Sequence, residues 1–192
     1  MDRRSDGADT GEIVSGRLTR RECVCVRLRS LDSFGRVGML CPSMKITEIL
    51  IAEHTVFHSL FDHIEATVPG ARTLAVVKSL TVTVQTLTRP HSETEDELFI
   101  KPLEHYFDQI GHQATFHDEH ELIEQALAGV LKTKDLKAAK KLLLGAVAAS
   151  RKHFDKEERI VFPMAERVLK ASTLTELGKQ WRKKRDEKIS PA

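Results

Sequence analysis

Apolar positions recur every three and four residues from Lys45 onward, which is the spacing of one face of an α-helix. The first such segment ends at Pro69-Gly70, a turn at Gly111 follows the second, and the fourth begins near Asp135. Each segment therefore has one predicted buried face. In chain order these faces are Leu50, His54, Phe57, Phe61 and Ile64; Val84, Leu87, His91, Glu95 and Leu98; Phe116, His120, Ile123, Leu127 and Val130; and Leu143, Val147, Ser150, His153, Glu157, Ile160 and Met164.

The second segment is the least clear of the four. Its β-branched run 81–84 would suit a strand, but the three-and-four spacing continues through His91, so we predict a helix from about Arg72 to about Tyr106. Pro90 lacks a backbone N–H, and we expect it to kink or split this helix.

Four helices joined by short links predict an all-α fold, an up-down-up-down four-helix bundle over residues 45–170. Residues 171–192 should form a short basic helix, about Leu174 to Asp186, and a tail. Residues 1–44 show no persistent period and several glycines, so we expect an irregular or disordered extension. Because the helical pattern begins only after it, we expect Met44 to be the natural start.

Composition narrows the classes of partner. The net charge is only +2, which favours neither nucleic acid nor an acidic membrane surface. No apolar run reaches the roughly 18 residues that a membrane span needs, and no signal-peptide pattern is present, so we expect a cytoplasmic protein. Three cysteines do not make a disulfide framework, and Cys23-Val24-Cys25 is spaced too tightly for a usual zinc knuckle.

Histidines are concentrated in the helical region. All nine lie between His54 and His153, and His-x-x-x-Glu occurs twice, as His91 with Glu95 and as His153 with Glu157. Side chains four residues apart on a helix project the same way, so each pair shares the face that otherwise carries Leu, Val and Ile.

A weak internal repeat accompanies these pairs. Glu53-His54 on the first helix resembles Glu119-His120 on the third, and each His-x-x-x-Glu helix ends in apolar residues and a proline. The first two helices thus echo the last two, which predicts a two-fold-like site in the middle of the bundle.

Such a core would hold four imidazoles and two carboxylates. A lone buried carboxylate is very unfavourable, and two of them repel each other, unless cations lie between them. Imidazole and carboxylate ligands suit iron, manganese or zinc, and helical bundles are known to hold di-iron carboxylate sites. The predicted metal ligands are His54, His91, Glu95, His120, His153 and Glu157.

Over about residues 46–170 the sequence resembles the hemerythrin-like, or HHE, cation-binding domains, through the two Glu-His doublets, the two His-x-x-x-Glu motifs and the Phe162-Pro163 that follows the second. The resemblance implies a four-helix bundle with a non-haem di-iron centre. It assigns His54 and His91 to one iron, His120 and His153 to the other, and Glu95 and Glu157 as bridges.

Two departures from the family's pattern leave alternatives open. Oxygen-carrying members usually have a second histidine four residues before the third-helix ligand, where this chain has Phe116; His117 lies three residues before His120 and is either a ligand or an outer support. An unfilled metal position would favour redox chemistry over simple carriage. Family members also often place the last carboxylate five residues after the histidine, at Glu158, whereas the apolar face selects Glu157.

We therefore expect a hemerythrin-like protein with two iron ions that binds or reacts with dioxygen, nitric oxide or peroxide, and that has no nucleic-acid or membrane partner. Manganese or zinc in place of iron stays open. The alternatives are a di-iron oxidase, peroxidase or catalase-like enzyme, and an iron- or oxygen-responsive sensor or iron-handling module.

The remaining charged and aromatic side chains are assigned ordinary positions. Phe57, Phe61, Phe99 and Phe162 should form a dry wall around the site, and His58 should be an outer or surface residue. The residues expected to be solvated are His63, His105, His112, Asp96, Glu97, Glu121 and the basic run 179–188.

Overall fold

The computed structural model describes residues 44–110 and 115–189. The predicted extension, its cysteines, and the turn expected at Gly111 lie outside the described residues, as does His112. Within the described part of the chain every regular element is helical and no strand is present, which confirms the all-α class.

Seven α-helices and three short irregular turns make up the described chain. They are α1 Ile46–Thr67 followed by a 3₁₀ turn Val68–Gly70, α2 Leu74–Glu95 followed by a π turn Asp96–Ile100, α3 Lys101–Ile110, α4 Thr115–Lys132, α5 Leu136–Lys156 followed by a π turn Glu157–Val161, α6 Phe162–Val168, and α7 Ala171–Ile189. The two π turns join α2 to α3 and α5 to α6 without a break in the helical backbone.

Side-chain caps fix where the helices begin. Thr73 accepts a hydrogen bond from the backbone N–H of Val76 at 3.4 Å, and Asp135 accepts one from Ala138 at 2.6 Å. Both are N-cap residues, so the predicted start near Asp135 is confirmed. The predicted stop at Pro69-Gly70 is confirmed by the 3₁₀ turn that closes α1.

The helices pack around two apolar clusters with a polar layer between them. Helix α4 packs on α5, α2 packs on both, α1 packs on α5, and α7 lies against α1 and α2. In α1, for example, Leu50 belongs to one cluster and Phe57 to the other, and His54 lies between them. The order is reversed along the second segment, where Val84 of the second cluster precedes His91 and Leu98 of the first cluster follows it. The buried polar side chains therefore occupy one level of the fold.

Most of the predicted buried positions are confirmed, and two are wrong. Leu87 is 39% exposed, and Thr88 (6% exposed) occupies the core instead. The Thr88 hydroxyl donates to the Val84 carbonyl at 3.0 Å, so burying it leaves no polar group unpaired. Ile160 is only half-buried, because the π turn adds a residue to that turn of helix and brings Val161 into the core.

Pro90 does not split its helix, so of the two effects predicted for it the split is wrong. Helix α2 continues through it as far as Glu95, and the β-branched run before it is helical as well. The irregular turn lies farther along, at Asp96–Ile100. The change from α-helical to π-helical backbone thus comes directly after Glu95 rather than at Pro90.

Helix α7 is longer than the predicted segment from about Leu174 to Asp186, and it packs against α1 and α2. It buries Leu174, Gly178 and Trp181, and the indole is fully covered. A Cβ atom on Gly178 would overlap the backbone of Met44 and Lys45, so only glycine allows this close approach to the start of α1. None of the described helices combines the length and hydrophobicity that a bilayer crossing requires.

Candidate metal centre

The structure brings six of the seven predicted ligand side chains together in the polar layer. One or two come from each of the four helical segments, and all six are buried. They are His54 of α1, His91 and Glu95 of α2, His120 of α4, His153 of α5, and Glu157 at the start of the second π turn.

These side chains form two groups that share Glu95. One group is Glu95, His120, His153 and Glu157, and the other is His54, His91 and Glu95; within each group the candidate ligand atoms lie within 4.8 Å of one another. Such spacing is that of a set of ligands around a cation.

The two glutamates each face both groups. Glu95 Oε2 lies 3.6 Å from His91 Nε2 and 3.8 Å from His120 Nε2. Glu157 Oε2 lies 3.5 Å from His54 Nε2, while its Oε1 lies 2.9 Å from His153 Nε2. Each carboxylate therefore lies between histidines of both groups.

No hydrogen bond satisfies these two carboxylates. All four oxygens of Glu95 and Glu157 are buried without a hydrogen-bond partner among the described residues. Burial raises the pKa of Glu157 to about 8, and burial together with the Glu157 charge raises the pKa of Glu95 well above its ordinary value. Buried polar atoms are rarely left unpaired, so the four oxygens point to cations between them.

The histidines of the first two helices are held in the neutral form that binds metal. Burial, assisted by the nearby His91, lowers the pKa of His54 to about 2. Burial also lowers the pKa of His91, although its hydrogen bond to Glu53 opposes that change. Neutral imidazole offers one nitrogen lone pair to a cation.

A carboxylate holds the outward-facing Nδ1 of each of the four histidines. The pairs are His54 with Glu158 at 3.0 Å, His91 with Glu53 at 2.8 Å, His120 with Asp96 at 3.0 Å, and His153 with Glu119 at 2.9 Å. Each carboxylate accepts a hydrogen bond from Nδ1–H, which leaves the Nε2 lone pair directed at the centre. Outer carboxylates of this kind orient histidine ligands and increase their basicity.

The outer carboxylates follow the internal repeat of the sequence, in which the first two helices resemble the last two. Glu53 and Glu119 precede a candidate ligand in the chain, and each supports a histidine of the following helix. Asp96 and Glu158 each follow a bridging glutamate. The hydrogen bond from His153 lowers the pKa of Glu119 to about 2, so Glu119 is an anion and a firm acceptor.

Each π turn begins at a doublet of adjacent acidic residues, Glu95-Asp96 in the first case and Glu157-Glu158 in the second. Glu95 is the last residue of α2 and Asp96 the first of the turn, while Glu157 and Glu158 open the second turn. Within each doublet one carboxylate faces the centre and its neighbour faces a histidine Nδ1. Single π turns inside helices occur frequently at functional sites.

Aromatic rings enclose the cluster. Phe57 meets His91 edge-on at 5.0 Å between ring centroids, and Phe162 lies 5.6 Å from His54. The predicted wall is confirmed in that all four of its phenylalanines are buried. The sequence analysis missed Phe154, which stacks on His54 at 4.0 Å with its ring nearly parallel.

The structure does not bring His117 into the cluster. Its side chain is 66% exposed, and its Nδ1 is bonded to Asp96 Oδ2 at 3.0 Å, while Asp96 Oδ1 holds His120. The expectation that Asp96 is solvated is wrong, because that carboxylate is 18% exposed and holds both rings. Among the two alternatives for the bridge, Glu157 lies in the cluster, whereas Glu158 is 36% exposed and supports His54.

Residues 45–165 match the family model described as the hemerythrin HHE cation binding domain. The match covers more than half of the chain and contains all six clustered residues. No curated protein and no solved structure matches the chain.

Proposed function

The chain belongs to the hemerythrin HHE cation-binding domain family, and from that premise we propose that its buried cluster holds two iron ions bridged by Glu95 and Glu157. His54 and His91 would bind one ion, and His120 and His153 the other. Imidazole with carboxylate is a ligand set that iron, manganese and zinc accept. We choose iron because helical bundles with such ligands are known to hold di-iron centres.

The unpartnered oxygens of Glu95 and Glu157 are the observation that carries this proposal. A buried anion without a hydrogen bond is strongly unfavourable, by several kcal/mol for each charge. Four histidine Nε2 atoms surround the same space with their Nδ1 protons committed elsewhere. Two divalent ions would offset the two buried negative charges and fill the coordination of both carboxylates.

Iron in this setting supplies reversible binding or redox reaction of small ligands such as dioxygen, nitric oxide and peroxide. The protein's part is to hold the imidazoles neutral, to fix their rings through outer carboxylates, and to exclude water with phenylalanine. With two imidazoles and a share of two bridges, each ion would keep positions for an exogenous ligand.

A shallow cleft between α4 and α5 includes one of the clustered histidines in its lining. Its volume is about 180 Å³. The cleft is lined by Glu119, Leu122, Ile123, Ala149, Lys152 and His153. We propose it as the side from which a small molecule would approach His153.

We also propose a bundle topology, a cellular location and a class of partners for the protein. The four helical segments that carry the cluster would run in alternating directions, as short links require. We propose a cytoplasmic protein, and the near-neutral charge supports the absence of nucleic-acid or membrane partners. A peroxidase- or oxidase-like enzyme and an iron-responsive sensor stay as alternatives, and the experiment below separates them.

The test is to load the protein anaerobically with Fe(II) and to record absorption spectra with dioxygen, nitric oxide and peroxide in turn. A reversible visible band supports a carrier, and sustained consumption of oxygen or peroxide supports an enzyme. A change in partner binding with iron alone supports a sensor. His153→Ala should abolish the signal, whereas His63→Ala, at an exposed position, should keep it. An iron-loaded protein that responds to none of the three ligands contradicts the proposal.

A further inference from the structure

Glu53 and Glu119 hold equivalent positions in the two halves of the site but have different partners. We propose that α7 makes the two halves unequal, with Trp181 and Arg185 acting as positioning residues that fix Glu53 and, through it, His91. The inference rests on the proposed two-metal function. It concerns a helix that lies beyond residues 45–165, the part matched by the family model.

Both oxygens of Glu53 are engaged. The indole N–H of Trp181 donates to Glu53 Oε1 at 2.9 Å, and His91 Nδ1 donates to Oε2 at 2.8 Å. The Arg185 guanidinium lies 3.4 Å from the same Oε2. The Trp181 ring also meets the His91 ring edge-on, with 5.4 Å between centroids. A fully buried side chain of α7 therefore contacts both the ligand and its support.

Glu119 has a different environment in the other half. Its Oε2 accepts from His153 Nδ1 at 2.9 Å, but its second oxygen meets the ammonium of Lys156, which belongs to the same helix as His153. Glu119 also lines the cleft that opens between α4 and α5. This half is thus supported by a flexible cation near water rather than by a buried indole from another element.

A second contact of α7 lies at the first π turn. Lys184 pairs with Glu97 there, one residue after Asp96. Close packing of Gly178 on the start of α1 holds the helix in place. Helix α7 thus contacts the first π turn as well as α1 and α2, the two helices that supply His54, His91 and Glu95.

A fixed outer carboxylate orients its histidine and keeps the Nε2 lone pair directed at the metal before the metal arrives. Loss of such an outer partner usually lowers metal affinity about 10- to 100-fold. We therefore expect the His54–His91 half to bind its ion more tightly than the His120–His153 half. That advantage should depend on Trp181 and Arg185.

The test compares the unaltered protein with Trp181→Phe, which keeps an aromatic ring but removes the N–H donor, and with Lys156→Gln as the matched change in the other half. Anaerobic Fe(II) titration measures the two affinities, and ⁵⁷Fe Mössbauer spectra measure the two iron environments separately. Trp181→Phe should weaken one ion about 10- to 100-fold and move one quadrupole doublet. Lys156→Gln should move the other doublet.

Arg185→Gln is a second variant that tests the effect of α7 on the His54–His91 half, and it replaces Trp181→Phe if that variant fails to fold. It retains the chain's single tryptophan, whose fluorescence should be quenched as the nearby half fills. Quenching should require a higher Fe(II) concentration in Arg185→Gln than in the unaltered protein. The two proteins should bind the second ion equally.

The outcomes separate this inference from the function on which it rests. An unaltered protein that binds fewer than two ions contradicts the proposed function. If it binds two, but Trp181→Phe or, where that variant does not fold, Arg185→Gln leaves both affinities and both doublets unchanged, the inference about α7 is wrong. It is equally wrong if the variant weakens both ions alike, because α7 would then act on overall stability only.

Discussion

The Nε2 atoms of His54 and His91 face each other at 3.3 Å in the buried centre of the fold. Each ring donates a hydrogen bond from Nδ1–H to a carboxylate, His54 to Glu158 and His91 to Glu53. Burial lowers the pKa of both histidines, so neither ring takes a second proton near neutral pH. Two lone pairs are therefore directed at each other, an arrangement that a shared cation would stabilise.

Removing one bridging charge should have opposite effects with and without metal. Because burial raises the pKa of Glu157 to about 8, Glu157→Gln should stabilise the metal-free protein at pH 8 by roughly 1–3 kcal/mol and should abolish stable binding of two ions. Thermal unfolding with a chelator and with Fe(II) measures both effects. Glu121→Gln, at an exposed position, is the control. A chelated Glu157→Gln protein that is less stable than its parent contradicts this account.

Stability of the metal-free protein should fall as the pH rises from 6.5 to 8. In this range the folded protein keeps a proton on Glu157 that the unfolded chain has already lost, so stability decreases toward the folded pKa of about 8. The loss from Glu157 alone is roughly 2 kcal/mol. Urea unfolding at the two pH values measures it. The slope should be smaller in Glu157→Gln, and a metal-free protein that gains stability over this range would be inconsistent with buried protonated carboxylates.

His117 should be dispensable for metal binding, and His120 should not. The exposed His117 contacts Asp96 but lies outside the cluster, so His117→Ala should keep both ions and weaken one by less than about tenfold. His120→Ala removes a buried imidazole of the cluster and should cost one ion. Metal content after anaerobic loading and desalting compares the two variants. Loss of a whole metal equivalent in His117→Ala would identify it as a ligand.

Two helical glycines should respond oppositely to alanine. A Cβ atom on Gly178 would overlap the backbone at Met44 and Lys45, so Gly178→Ala should destabilise the fold by roughly 1–3 kcal/mol. Gly145 is exposed in α5 with open space around it, and Gly145→Ala should stabilise by up to about 1 kcal/mol. Urea unfolding of both variants measures the difference. Equal effects would mean that α7 is not packed against α1 as described.

The helical spacing of apolar residues was enough to predict the helices and the inward position of the six clustered side chains. It could not predict Thr88 in place of Leu87, because a threonine whose hydroxyl bonds the preceding turn is buried without an unpaired polar group. Nor could it predict Val161 in place of Ile160. A regular 100° rotation per residue cannot anticipate a π turn.

The outer carboxylates and α7 were beyond the reach of that spacing. Glu53 and Glu158 each lie next to a candidate ligand in sequence but support a histidine of another helix, so their role depends on how the helices pack. Their adjacency to ligands was the available signal. Trp181 lies in a basic run typical of a solvated face, and its burial and its hydrogen bond to Glu53 are visible only in the folded structure.

The metal content of the protein purified from its own host, measured together with its absorption spectrum, tests the central claim most directly. We predict about two iron atoms per chain, one for each of the two groups of clustered side chains that share Glu95. Zinc in the same amount would keep the site and remove the oxygen chemistry. Less than about one metal per chain would contradict the claim, because the unpaired oxygens of Glu95 and Glu157 would then lack the cations that stabilise them.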